Sequence, residues 1–222
     1  VPVAGIIRAD RHPPETFDWI QRDDVKGVRV YAKEAPADFS DKAAWDRLWQ
    51  LCRTKGKHVL LFGSAPHLRP TAAHIPSDLT LVIDHLGLPD ATKGANDPDF
   101  QALLADMVAR NQNAGPVYYK GPGYRSSLDV KKVQPFVDAV IAKLGVDRVM
   151  LGASDGPFAG PVLEQVARWA GKKLGDVVHF DWVLNYTTAL AKRSAEHLGL
   201  DEASTVEATH YGNAAHLYGW DA

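Results

Sequence analysis

Leu79-Thr80-Leu81-Val82-Ile83-Asp84-His85-Leu86-Gly87-Leu88-Pro89-Asp90 is the stretch on which the reading of this chain turns. Its first five residues form a short run of β-branched and aliphatic side chains, the pattern of a buried strand. The run ends abruptly in an acid, an imidazole and a glycine. A buried parallel strand that finishes in ionisable groups delivers them to a pocket at its carboxyl end.

Working outward, the same arrangement recurs. Val3–Ile7, Gly27–Tyr31, His58–Phe62, Val117–Tyr119 and Val149–Leu151 all read as short buried strands. Each runs into polar residues and then a proline: Arg8 to Pro13, Tyr31 to Pro36, Phe62 to Pro66, Asp84 to Pro89, Lys120 to Pro122 and Asp155 to Pro157. Helical patterns fill the intervals. Glu15 to Arg22 is expected to be helical, with Phe17 and Ile20 inward. Asp41 to Thr54 is amphipathic, capped by Ser40 or Asp41 and stopped near Gly56. A helical turn is expected through Leu68 to His74, and longer helices over Asp97 to Arg110 and Val130 to Leu144. After the sixth strand come helices near Pro161–Lys173, Trp182–Leu198 and Ser204–Leu217. Such βα alternation implies a parallel sheet. Right-handed crossovers then put every strand's carboxyl end on one side, where a (β/α) barrel or a doubly wound sheet keeps its site.

The composition is ordinary for a globular chain: 222 residues, 45% hydrophobic and 23% charged, with a net charge of −2. No basic block favours nucleic acid, and no apolar run approaches a membrane span. The start does not read as a signal peptide. The lone cysteine, Cys52, excludes an internal disulfide and fits a reducing, cytoplasmic compartment. It falls in the helical pattern Trp45-Leu48-Trp49-Cys52 and reads as core. The opening Val1-Pro2-Val3, without Met, is taken as a sign of missing upstream sequence.

Five stretches, in order along the chain, resemble the amidohydrolase-related (amidohydrolase 2) family and its 2-pyrone-4,6-dicarboxylate lactonase-like branch. They are Gly27-Val-Arg-Val30, Val82-Ile-Asp-His-Leu-Gly-Leu-Pro-Asp90, Lys120-Gly-Pro-Gly-Tyr-Arg125, Arg148-Val-Met-Leu-Gly-Ala-Ser-Asp155 and Asn213-Ala-Ala-His-Leu-Tyr-Gly219. The resemblance implies a (β/α)8 TIM barrel, one domain over residues 1–222, whose six strands here are similar to the family's third to eighth. The family's first strand, with its His-x-His pair, has no counterpart, so the first two strands are expected to be absent from the sequence. Phe62 stands where many metal-dependent relatives carry a histidine, which leaves His85 and Asp155 as the family-type ligands. Two ligands are too few for a catalytic zinc. No cofactor and no metal is therefore expected, unless an upstream His-x-His supplies a site for zinc or manganese. Leu88 replaces an arginine of the lactonase branch and Gly156 replaces a tryptophan, changes that imply a less anionic substrate.

The expected activity is hydrolysis of a small cyclic ester (a lactone) or a related carbonyl compound. Asp155 would activate water as general base, although Ser154-Asp155-Gly-Pro157 also reads as a helix start. His85 and Arg125 would polarise the carbonyl, with a surface ion pair as the other reading of Arg125. Arg29 lies inside an apolar strand, so it is either buried against a carboxylate or aimed at substrate. Tyr124, Lys120, Tyr31, Ser64 and His67 are candidate pocket lining. The alternatives are a metal-dependent hydrolase or decarboxylase of the same family and a non-catalytic small-molecule-binding barrel. The expected partner is a small-molecule substrate, with no nucleic acid and no membrane. Gly160 to Asp181 reads as a lid or an oligomer contact, which leaves a homo-oligomer open.

Overall fold

The computed structural model describes residues 5–9, 17–32, 37–121, 129–152 and 180–220. The strands are β1 (Gly5–Arg8), β2 (Val25–Ala32), β3 (His58–Gly63), β4 (Leu81–Ile83), β5 (Val117–Lys120) and β6 (Val149–Met150). They form one parallel sheet in the order β1-β2-β3-β4-β5-β6. Each strand pairs with the next in sequence, so the order never reverses. That is the winding of a (β/α) barrel, whereas a doubly wound sheet has a switch point where the order turns back.

The connecting helices are α1 (Lys42–Thr54), α2 (Ala65–Ala73), α3 (Pro98–Asn113) and α4 (Val130–Leu144), followed by α5 (Phe180–Leu198), α6 (Glu202–Glu207) and α7 (Asn213–Tyr218). Asp41 caps α1 by accepting from the Ala44 amide, as its place before the apolar stripe implies. Asp129 and Asp201 cap α4 and α6 in the same way. Trp45, Leu48, Trp49 and Cys52 all face inward, and burial pushes the Cys52 thiol up to about 12, so it is packing and not a nucleophile.

Period-two alternation splits the sheet into two apolar clusters. Val28, Val30, Val59, Leu61, Leu81, Ile83, Val117, Tyr119 and Val149 face the helices in the large cluster. Leu60, Val82, Tyr118 and Met150 point the other way, into a small inner cluster. The inner face is sealed by Ala214 and Leu217 of α7. At the amino end of the strands, His58 lies edge-on to Tyr218 with ring centroids 5.5 Å apart. Gly27 makes this possible: a Cβ there would come 2.7 Å from His58 Nε2 and 2.6 Å from the His58 carbonyl oxygen.

Three expectations need correction. The helix expected over Glu15–Arg22 is, in its described part, only a 3-10 turn at Trp19–Gln21, although Phe17 and Ile20 are buried as expected. The turn over Leu68–His74 is a helix of 9 residues, Ala65–Ala73, because Ser64, just after β3, is extended as its N-cap and Pro66 preorganises the first turn. The single helix expected over Ser204–Leu217 is interrupted by a π turn at Ala208–Gly212. There the chain widens, and the Thr209 carbonyl accepts from the Leu151 amide at 2.7 Å. The helix expected at Pro161–Lys173 lies outside the described residues.

Candidate active site

The carboxyl ends of β2 to β5 converge on Asp84. Strand register explains why. Arg29 pairs with Leu60, Leu60 with Val82 and Val82 with Tyr118, so these four occupy one rung of the inner face. Two residues further on, Tyr31 pairs with Phe62 and Lys120 with Met150. Asp84 follows Val82 by two residues and takes the same inward phase. Its side chain is fully buried.

Three cationic or potentially cationic groups surround this carboxylate. Arg29 Nη2 donates to Asp84 Oδ2. Lys120 Nζ donates to Oδ1 at 3.3 Å. His85 Nε2 lies 3.5 Å from Oδ2. The Arg29 guanidinium also sits over the rings of Tyr31 and Phe62, at 4.9 and 4.7 Å from their centroids. Phe62 meets His85 edge-on at 5.1 Å and tilts against Tyr31 at 4.9 Å. An aromatic wall therefore fixes the guanidinium laterally while Asp84 fixes it electrostatically. Arg29 Nε is buried without a partner, a donor held beside the site.

His85 is presented by an unusual piece of backbone. His85, Leu86 and Leu88 have φ of 53°, 57° and 46°, and Gly87 lies between them at 77°. Left-handed backbone costs a non-glycine residue ~1–2 kcal/mol, and such strain concentrates where a side chain must be aimed. Here it turns the chain sharply off β4, so that His85 is held against Phe62 while Leu86 enters the helix-side core.

Of the candidate residues, Arg29, Tyr31, His85 and Lys120 are brought together around Asp84. For Arg29, the carboxylate partner expected as one alternative is Asp84. Ser64 and His67 form a separate pair at the start of α2, with Oγ 3.3 Å from Nδ1. Arg125, Tyr124 and Asp155 lie outside the described residues. Among the described residues, no three His, Cys, Asp or Glu side chains gather as a metal cage. The donor set at Asp84 is also a poor match to a dication, since Arg29 and Lys120 already occupy its two oxygens with positive charge. Two residues were missed by sequence reasoning. Asp84 was read as an acid that its strand delivers to the pocket but was given no role of its own, although an arginine in phase on a nearby apolar strand was a signal for its partner. His58 was read only as the start of a strand, although it shares the inward phase of Leu60 and Phe62.

The family model for amidohydrolases matches residues 2–220, nearly the full length of the chain. The chain belongs to the amidohydrolase family. A protein from Comamonas testosteroni named 2-pyrone-4,6-dicarboxylate hydrolase is 32% identical over 92 residues. That match covers 40% of this amidohydrolase and 29% of the Comamonas protein. Two solved structures share the fold. One, from Pseudomonas putida, is named for 2-pyrone-4,6-dicarboxylic acid hydrolase; its TM-score is 0.63 at 22% identity, covering 99% of this chain and 72% of that one. The other carries the same activity in its name and comes from Acinetobacter baumannii, with a TM-score of 0.65 at 16% identity and coverage of 97% and 72%. No described helix of this family member is long and apolar enough to cross a membrane.

Proposed function

We propose that this amidohydrolase opens a small cyclic ester, a lactone, by adding water without a metal ion. The supporting observation is the convergence of Arg29, Lys120 and His85 on one buried carboxylate at the carboxyl ends of the strands. The Comamonas relative, named for a lactone substrate, points the same way. In this reading Asp155, beyond the end of β6, takes a proton from water. The water oxygen adds to the carbonyl carbon, and the carbonyl electrons move onto oxygen. His85 and Arg125 meet that developing negative charge. Collapse of the tetrahedral species breaks the ring C–O bond, and the departing oxygen is protonated by the carboxyl of Asp155. The products are a carboxylic acid, which releases its remaining water-derived proton to solvent to become a carboxylate, and one hydroxyl (or its carbonyl tautomer) on a single open chain.

Among the described residues, Arg29 and Lys120 bring two positive charges to the single negative charge of Asp84. That balance favours a substrate bearing a carboxylate, while Tyr31 and Phe62 give the same side of the site an aromatic lining. Leu88 and Gly156, where the lactonase branch carries arginine and tryptophan, favour fewer carboxylates than two. The metal-free reading rests on the cationic surroundings of Asp84 and His85.

The test is spectrophotometric. The protein is offered pyrone monocarboxylate and 2-pyrone-4,6-dicarboxylate, and loss of ring absorbance is followed. Turnover is expected, with the monocarboxylate preferred, and D155N is expected to lower kcat by at least about a thousandfold. Binding without turnover in the unaltered protein overturns the hydrolase, and full activity in D155N overturns Asp155 as its base. Stoichiometric zinc or manganese removed together with activity overturns the metal-free mechanism.

A further inference from the structure

The segment Asn213–Gly219 was singled out by its sequence, and its Ala214 and Leu217 pack on the inner rung beside the site. We infer that Asn213 and the π turn before it form a clamp that positions the carboxyl end of β6, and with it the reacting groups. The inference rests on the lactone-hydrolase reading for its activity arm only.

β6 has just 2 residues and, among the described residues, pairs with a single strand, β5. A strand that short is poorly held by its ladder. On the side away from β5, its backbone bonds to helical backbone. In the π turn the Asn213 amide bonds to the Ala208 carbonyl, five residues back. The Thr209 carbonyl is thereby released from the Asn213 amide that would take it in an α-helix, and it accepts from Leu151 at 2.7 Å. The Asn213 side chain completes the grip: its Nδ2 donates to the Val149 carbonyl at 2.7 Å and to the Val146 carbonyl at 2.8 Å. Asn213 is buried, and its bond to the Val149 carbonyl is shielded from water. His210 locks the turn in place, with Nδ1 3.1 Å from the Val206 carbonyl and Nε2 3.0 Å from Thr187 Oγ1 of α5.

The clamp communicates with the site through the backbone. The Met150 carbonyl, between the two gripped residues, accepts from the Gly121 amide at 3.0 Å. Gly121 directly follows Lys120, whose ammonium holds Asp84. In the other direction along the chain, Leu151 precedes Asp155 by four residues. One grip at the strand's edge thus bears on both the Lys120–Asp84 pair and the exit toward the proposed base. Asn213 touches neither, so it is a positioning residue.

Two variants of the full protein test this. N213A removes both side-chain bonds. Deletion of Tyr211, which is 52% exposed, shortens the π turn toward an ordinary α turn and draws the Thr209 carbonyl back into the helix. Q134A, remote in the α4–α5 contact, serves as a destabilised control. Amide hydrogen exchange is read at Leu151 and Gly121, together with kcat and KM for the pyrone. Both amides are expected to exchange at least about tenfold faster in N213A and in the deletion, with kcat lowered tenfold or more and KM changed less than twofold. Q134A is expected to leave all of these unchanged at a temperature where it is folded. Unaltered exchange at Leu151 in the folded variants overturns the clamp, and so does a kcat within twofold of the parent once exchange has risen. If N213A does not fold, the deletion alone decides. A parent protein that turns over no pyrone defeats the lactone reading instead, and exchange at Leu151 and Gly121 then judges the clamp by itself.

Discussion

Asp84 makes sense only in company. Alone, a fully buried carboxylate would shed its charge or unfold its surroundings. Held by Arg29 on one oxygen and Lys120 on the other, it becomes the anchor that makes two cations tolerable inside a strand layer. The loss of either side exposes the other. D84N keeps the shape but leaves two cations facing an amide, so the folded state is expected to lose about 3 kcal/mol, read as a lower urea midpoint. Its turnover is expected to fall by more than tenfold as Lys120 and Arg29 relax. An unchanged midpoint would mean that the pair contributes nothing to stability. Arg29 was legible in sequence as a misfit in an apolar strand, and its two alternatives were open there. What the sequence did not carry was register. Whether Arg29 meets Asp84 depends on β2, β3 and β4 aligning so that residues from different strands share one side and neighbouring rungs.

At the scale of elements, α1 and α4 were readable because their apolar stripes, caps and stops agree with one another. The elements misread are those where a tertiary contact overrides local preference. The π turn leaves the Thr209 carbonyl to the Leu151 amide, a partner 58 residues earlier in the chain. The left-handed turn after β4 is a similar case. Its strain is offset by the burial of Leu86 and by close packing on α3, where a Cβ on Gly87 would come 2.8 Å from Leu103 Cδ2. G87A thus adds both a backbone penalty at φ 77° and a collision. A loss of about 2 kcal/mol is expected in chemical denaturation. Activity is expected to fall with it, because His85 rides on the turn whose backbone the substitution strains. If G87A were as stable as the parent, the packing described for the turn would be wrong.

The whole molecule is a sheet with two different faces. The helix side is a large apolar core of the usual kind. The inner side is small and mixed, with ions at the carboxyl end and His58 at the amino end. His58 is 3% exposed, and its Nε2 has no partner. Burial, with Lys120 and then Lys57 adding like charge, pushes its imidazole down to about 4. The groups packed beside it, Tyr218 and Gly27, offer no negative charge to receive a proton. In the unfolded chain the same imidazole titrates near 6.5. Between those two values the unfolded state binds the extra proton, so acid favours unfolding. The stabilising contribution is complete above about pH 6.5 and is lost as pH falls toward about 4, amounting to roughly 3 kcal/mol across the window. H58L removes the titrating group and keeps similar bulk beneath Leu60. The stability difference between pH 7 and pH 4.5, measured by urea denaturation, is therefore expected to shrink by about 2–3 kcal/mol in H58L relative to the parent. Carboxylates elsewhere contribute equally to both proteins and cancel in the comparison. Equal pH slopes for parent and variant would show that His58 gains a proton without strain, and that the amino end of the inner face is open to water rather than sealed by α7.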